Sequence, residues 1–425
     1  MMKKFCLTLL MVLWAAGNLQ ASGFGVFTQG AKGLAQSNAV TAHASGPSSL
    51  YFNPALLPRI TGTRVEVGAT LIDADREFNS AASGLTEGGA DSLKSPGTFY
   101  ATRQFSDRLS AGLGVYFPFG LATEWERGWE GRYIATRSEI ATVNINPALA
   151  YRVNDQLCVA AGLDALYLDA ELERQVNSTL LGFMLNPPDG LGTLPDAKQK
   201  FSGNGWGFGY NLGVLLKLGE HLDFGASYRS RIDVTADGDL EFTVPPGAAV
   251  LQPLLTDTGG DSDIRLPRQA AFGLAWNIAP PLTVEIGARW EDWSSTNQVL
   301  INLDQAVLGQ TVDVTPRDWN DTWAFNIGGA YRLNETVTLL AGYLYSDNPV
   351  PDHTFDPSLP DADAHLFTIG TGLSFGNWTV DLAYGFEHHE DRDKNNPIGS
   401  TTGSTANGTY SANIQLAAAS IGYRF

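Results

Sequence analysis

The chain has 425 residues, with 27 Lys and Arg against 45 Asp and Glu and a formal net charge of −18. So acidic a protein is a poor partner for nucleic acid or for an anionic surface, and past residue 16 no stretch is long and apolar enough for a transmembrane helix. Six histidines and two cysteines stand in no Ser–His or metal-ligand spacing, which argues against an enzyme and implies no cofactor, no catalytic residue and no metal site.

Residues 1–21 read as a secretory signal peptide. Lys3 and Lys4 precede an apolar run from Phe5 to Ala16, and small residues lead to a cleavage site after Ala21. Cleavage leaves 25 basic against 45 acidic residues, a net charge of −20. It also leaves Cys158 as the only cysteine, so no intramolecular disulfide is expected.

Residues 22–62 are rich in Gly, Ala and Ser and are broken by Pro47, Pro54 and Pro58. A segment this short and apolar cannot bury a core of its own, so it is expected to sit inside whatever the rest of the chain encloses.

From residue 63 to 425 the hydrophobic period is two. Val65, Val67, Ala69 and Leu71 alternate with Arg64, Glu66, Gly68 and Thr70; Val284, Ile286, Ala288 and Trp290 alternate with Glu285, Gly287 and Arg289. Tight turns at Ser106-Asp107, Asn154-Asp155, Gly219-Glu220, Ala279–Pro281, Asn334-Glu335 and Gly376-Asn377 alternate with long connections near 79–95, 121–131, 174–202, 244–262, 302–317, 348–362 and 392–409. Six short and seven long connections join fourteen strands. Together these patterns give an all-β fold, a transmembrane antiparallel β-barrel of about fourteen strands with an N-terminal hatch, or plug, in its lumen. Aromatics flank the short turns, among them Phe105, Tyr151, Trp276, Tyr331, Phe375 and Trp378, as a membrane boundary requires.

Inner strand positions are mostly small or apolar (Gly112, Gly114, Gly162, Leu166, Leu168, Leu340, Leu344), which does not suit a pore for ions. Arg289 faces inward with Glu285 and Glu291 and reads as an internal salt bridge. Two loops carry unusual apolar runs: Leu180, Leu181, Phe183, Met184 and Leu185 in one, Val250, Leu251, Leu254 and Leu255 in the other. Such patches mark a binding groove or a self-packed cap. The run Phe117-Pro118-Phe119-Gly120 interrupts the third strand, because Pro removes a ladder donor and Gly permits a bend. The acidic Asp257, Asp261 and Asp263, and the pair His388-His389 with its acidic neighbours, read as solvated polar loops.

Several of these motifs are similar, in order, to those of the outer-membrane long-chain fatty acid transporter family, which also includes transporters for aromatic hydrocarbons. They are Asn53-Pro54-Ala55, Gly120-Leu121-Ala122-Thr123-Glu124, Gly203–Gly209, Asp321-Thr322-Trp323, Pro349-Val350-Pro351-Asp352 and Leu359-Pro360-Asp361. The resemblance implies a hatch that starts at Gly23-Phe24 and is closed by Asn53, Pro54 and Ala55. It implies capture of substrate in a groove between the two apolar loops, transfer to an inner pocket near the hatch N-terminus, and sideways release into the membrane at Phe117, Pro118, Phe119 and Gly120. The expected partners are a hydrophobic small molecule (a long-chain fatty acid, a monoaromatic or an alkane), outer-membrane lipid and lipopolysaccharide; the chain is expected to be a monomer in the outer membrane of a Gram-negative cell. A general diffusion porin and an outer-membrane lipid hydrolase are the alternatives from other classes.

Overall fold

The computed structural model describes residues 23–43, 46–90, 93–187 and 189–425. The signal peptide expected at 1–21 and the first hatch residue, Ser22, lie outside them. Strand segments of the described residues join in one sheet and make up fourteen passes. These are β1 (Thr63–Ser80), β2 (Gly97–Gln104), β3 (Leu109–Tyr116, then Gly120–Glu124), β4 (Arg137–Arg152) and β5 (Leu157–Val176). Then come β6 (Ala197–Lys217), β7 (Leu222–Arg229, then Ile232–Thr243), β8 (Thr258–Leu266, then Gln269–Ala279) and β9 (Leu282–Glu291, then Gln298–Val307). The last are β10 (Gln310–Pro316, then Thr322–Arg332), β11 (Val337–Ser346), β12 (Ala364–Phe375), β13 (Trp378–Lys394) and β14 (Gly408–Arg424). Each pairs antiparallel with its neighbour in the chain. β14 returns to pair with β1 from Arg64↔Arg424 to Ser80↔Gly408, which closes the barrel and removes both sheet edges.

The alternation expected from sequence sorts side chains between lipid and lumen. Leu163 is 67% exposed and Phe208 74%, values that only an apolar surrounding tolerates over so many strands. On β5 the outward positions stay apolar from Leu157 to Tyr167 and then become Asp169, Glu171 and Glu173, so the band is about eleven residues tall, as a tilted membrane strand needs. No helix among the described residues is long and apolar enough to cross a membrane.

Three expectations are corrected. Asp261 and Asp263 are not in a polar loop but in the first segment of β8, Thr258–Leu266, paired with β7. The stretch 302–317 is not a loop: β9 and β10 continue through it as a hairpin that turns at Leu308 and Gly309, whose φ values of 51° and 81° are the left-handed pair such a turn requires. His388 and His389 are not in a polar loop either. They lie within β13, where alternation sends His388 outward and buries His389 in the lumen.

Residues 23–43 and 46–60 lie inside the barrel, almost all buried. They form α1 (Ala31–Leu34), α2 (Ser49–Phe52) and a 3-10 turn over Pro54–Arg59. α1 packs toward β12, β13 and β14, and the 3-10 turn toward β4, β5 and β6. The Gly positions on the inner wall make that fit possible: at Gly328 and Gly342 any Cβ would collide with the backbone of Gln36.

Candidate functional site

Three cavities lead inward from the end that carries the long loops and share walls. The outermost, about 290 Å³, lies under α3 (Ser178–Leu185). Asn177 starts this helix by accepting from the Leu180 N–H at 2.9 Å, while its Nδ2 donates to the Thr402 carbonyl and ties the helix to the last loop. Of the residues expected in a loop groove, Leu180, Leu181, Met184 and Leu255 line this cavity. Phe183, Leu185 and Val250 are exposed and do not line it; Leu251 is fully buried in the core beneath, and Leu254 is half-buried.

The middle cavity, about 590 Å³, shares Tyr133, Arg174, Gln199 and Asp313 with the first. It is the charged part of the path, yet its cations are engaged. Arg174 pairs with Asp313 at 2.9 Å, Arg137 with Glu139 and with Glu171 at 3.1 Å, and Arg317 with Asp356 at 2.8 Å. The innermost cavity, about 210 Å³, shares Leu172, Phe201, Val299 and Arg317 with the middle one and is walled mainly by Leu121, Ile140, Ile264, Leu300, Trp319 and Leu359.

Phe24 lines that inner cavity. Its ring lies edge-on to Trp293 at 4.6 Å between centroids, 5.7 Å from Trp319 and 6.2 Å from Phe119, so the four rings form one cluster. Trp293 and Trp319 come from the two interruptions of β9 and β10 and were not singled out from sequence. Their signal is present: both are tryptophans flanked by polar residues, inside breaks of otherwise alternating strands.

The interruption in the third strand is where the sequence places it. β2 and β3 pair only as far as Phe99↔Val115. Above that point the hatch tip takes the place of a neighbouring strand. Phe24 O accepts from Gly120 N at 2.8 Å, Val26 N donates to Pro118 O at 3.0 Å, and Gly25 lies opposite Phe119. Gln29 Nε2 adds a bond to the Phe117 carbonyl, and Thr142 Oγ1 serves the Phe119 backbone on the far side. The backbone groups that Pro118 and the bend would leave bare are thus satisfied from inside.

At the very tip, Gly23 N donates to Asp361 Oδ2 at 2.7 Å. Asp361 is fully buried, and burial pushes its carboxyl up to about 6, although nearby His389 and the Gly23 and Ala362 N–H groups pull it back. At the other end of the hatch, Asn53 donates to the Thr41 carbonyl at 2.8 Å and to Val214 O of β6 at 3.0 Å, and its Oδ1 accepts from Ala55 N at 3.0 Å. It thereby caps the 3-10 turn that Pro54 opens. The expected internal salt bridge forms between Arg289 and Glu291, without Glu285. Arg289 lies 3.6 Å from Glu291 alone, while Glu285 accepts from the N–H groups of Thr41, Ala42 and His43 at 2.6 to 3.1 Å and from His43 Nδ1 at 2.8 Å. An inward acid among the glycines of β8 and β9 was the available signal. Among the described residues, no cluster of three or more His, Cys, Asp or Glu is arranged to hold a metal.

A family model for outer membrane protein transport proteins (OMPP1/FadL/TodX) matches residues 12–425. A long-chain fatty acid transport protein of Escherichia coli O6:H1 is 25% identical over 375 residues, 82% of each chain. Outer membrane protein P1 of Haemophilus influenzae is 24% identical over the whole of both chains. Among solved structures, a Pseudomonas aeruginosa FadL homologue superposes with a TM-score of 0.83 at 20% identity, covering 95% of this chain and all of that one. The Pseudomonas putida toluene transporter TodX superposes with a TM-score of 0.74 at 19% identity, covering 96% and 99%. At these identities the two structures speak for the fold.

Proposed function

We propose a transport route for this chain, which belongs to the outer membrane protein transport family of OMPP1, FadL and TodX and is a β-barrel channel of the outer membrane. The route carries hydrophobic molecules, a long-chain fatty acid or an aromatic hydrocarbon being the cargo named for relatives. Substrate is captured under α3, moves through the middle cavity to the chamber above Phe24, and leaves sideways into lipid at the break in β3. The observation that carries this reading is the pairing of Phe24, Gly25 and Val26 with Pro118, Phe119 and Gly120. A wall segment completed by a plug opens when the plug moves, without any strand of the barrel parting.

Energetics make a moving plug necessary. Burying a chain of ~15 methylenes yields about 12 kcal/mol gross at ~0.8 per CH₂, less several kcal/mol for association. A static apolar pocket would therefore retain its ligand. Displacement of Phe24 breaks the aromatic cluster and exposes the gap at once, so release and opening become the same event.

Gly25 and Phe119 face each other where the flanking residues make the ladder bonds, the close-approach pair of an antiparallel ladder. Gly25→Cys with Phe119→Cys, in a Cys158→Ser background, should form a disulfide on oxidation. Uptake of palmitate or toluene by intact cells is then expected to fall at least tenfold and to return on reduction. Full uptake through a barrel shown by mass spectrometry to carry the cross-link would exclude release at the break.

A further inference from the structure

Three buried polar atoms of the inner cavity have no hydrogen-bond partner among the described residues: Trp319 Nε1, Thr296 Oγ1 and Ser262 Oγ. All three residues line the cavity, and they are 5%, 9% and 2% exposed. Buried polar groups are nearly always paired, so three orphans in one apolar chamber point to an occupant that pairs them. Two are neighbours: the Trp319 backbone N–H reaches the Thr296 carbonyl at 3.4 Å. Ser262 stands further along the wall, opposite Ile301.

The chemistry of the orphans limits the occupant. An indole N–H can only donate, so the molecule must offer an acceptor. A hydroxyl both gives and takes, so Thr296 beside it suits a ligand hydroxyl or carbonyl. The charges nearby do not suit a carboxylate. Arg317 donates to Asp356 and to Ser358 Oγ at 2.8 and 3.0 Å, and Arg265 is largely exposed beside Asp233. An anion brought here would face cations already neutralised.

Size points the same way. A dry cavity of about 150 Å³ takes benzene, and this one measures about 210 Å³, room for one ring with one or two small substituents. A longer chain would extend into the charged middle cavity. The rings of Phe24 and Trp319 at one end present faces and edges to an aromatic guest.

We propose that the inner chamber selects a neutral, single-ring aromatic molecule carrying one hydrogen-bond-accepting oxygen, a phenol in preference to the hydrocarbon of the same shape, with Trp319 and Thr296 holding that oxygen beside Phe24. This rests on the reading of the barrel as a hydrophobic conduit and deepens it. Because the bound oxygen sits next to the residue that completes the wall at Gly120, the guest touches the movable part of the plug.

The test uses p-cresol and p-xylene, which differ by a hydroxyl for a methyl, in equilibrium dialysis against the full mature chain in lipid nanodiscs. p-Cresol is expected to bind at least as tightly as p-xylene although the hydrocarbon is the more strongly driven from water. In Trp319→Phe and, separately, in Thr296→Val, the p-cresol to p-xylene Kd ratio is expected to rise about fivefold to tenfold. Two variants guard against one that merely loosens the ring cluster. An identical ratio in all three proteins overturns the assignment, as does saturable palmitate binding that displaces p-cresol and is lost in Arg317→Ala, which would mark a fatty acid site. Binding of neither aromatic to an intact barrel overturns the conduit reading along with it.

Discussion

The two ends of the lumenal segment are held in opposite ways. Over Thr41–His43 and Tyr51–Arg59 it is clamped by polar side chains of the wall. Glu285 takes three backbone N–H groups and His43, Arg59 pairs with Asp223 through both nitrogens at 2.6 and 2.8 Å, and Arg229 and Arg152 reach the Tyr51 and Pro58 carbonyls. From Gly23 to Val26 it is held by two backbone–backbone hydrogen bonds, one side chain (Asp361, on the Gly23 N–H) and one ring cluster. Hydrogen bonds inside a barrel demand exact partners and fail abruptly when displaced, whereas apolar contacts can slide. On the proposed route, the difference suits the first end to be a fixed hinge and the second to be the moving part.

The largest effect should come from the fixed end. Glu285→Ala would leave the buried N–H groups of Thr41, Ala42 and His43 without their acceptor, a loss of about 3–5 kcal/mol of local stability. The strand ladders survive, so the barrel still assembles, but the plug loosens. Amide exchange at residues 41–43 should accelerate by at least a hundredfold, and planar bilayers should register steady conductance where the wild type is nearly silent. Unchanged protection at 41–43 would mean that the two ends do not differ as described.

A smaller effect, confined to the moving end, comes from Asp361. Its folded value of about 6 stands above the ordinary 3.8. Between those values the folded protein binds more protons than the unfolded chain, so this group favours the fold at low pH, and that contribution is withdrawn as pH rises through about 6. Asp361→Asn stays neutral throughout and keeps an acceptor for Gly23. The wild type should therefore lose stability relative to the variant between pH 4 and 7, by up to about 3 kcal/mol, read as diverging thermal midpoints. Parallel curves would show that no charge develops at the tip.

Much of this was legible in the residues. Alternation is a local property, so the strands, the short turns and the inside–outside assignment of the wall could be read directly, and Pro118 and Gly120 announced the break because their backbone chemistry acts at their own positions. Asn53-Pro54 was singled out through the resemblance alone; that Asn53 caps the turn opened by Pro54 became visible only in the structure. Glu285 was not legible, because its partners lie more than two hundred residues away and Arg289, an inward cation four residues on, supplied a plausible local partner. Trp293 and Trp319 join Phe24 only after the barrel closes. The hairpin through 302–317 was missed although Val299, Ile301 and Leu303 alternate, since polar composition outweighed period.

The smallest expected effect tests the comparison from outside, where substrate has not yet met either end. Leu180→Ala with Met184→Ala trims the lining of the outer cavity. Both side chains are partly exposed, so the apolar area withdrawn is a fraction of a full side chain and the loss is about 1 kcal/mol. On the proposed route that contact is made in the first bound state and abandoned before the plug moves, so the double variant should weaken capture without touching release. The half-saturating concentration for uptake is then expected to rise about fivefold while the maximal rate holds. A maximal rate that falls in step would place α3 in mechanical contact with the moving tip, and the division between a hinged and a sliding end would have to include the loop above it.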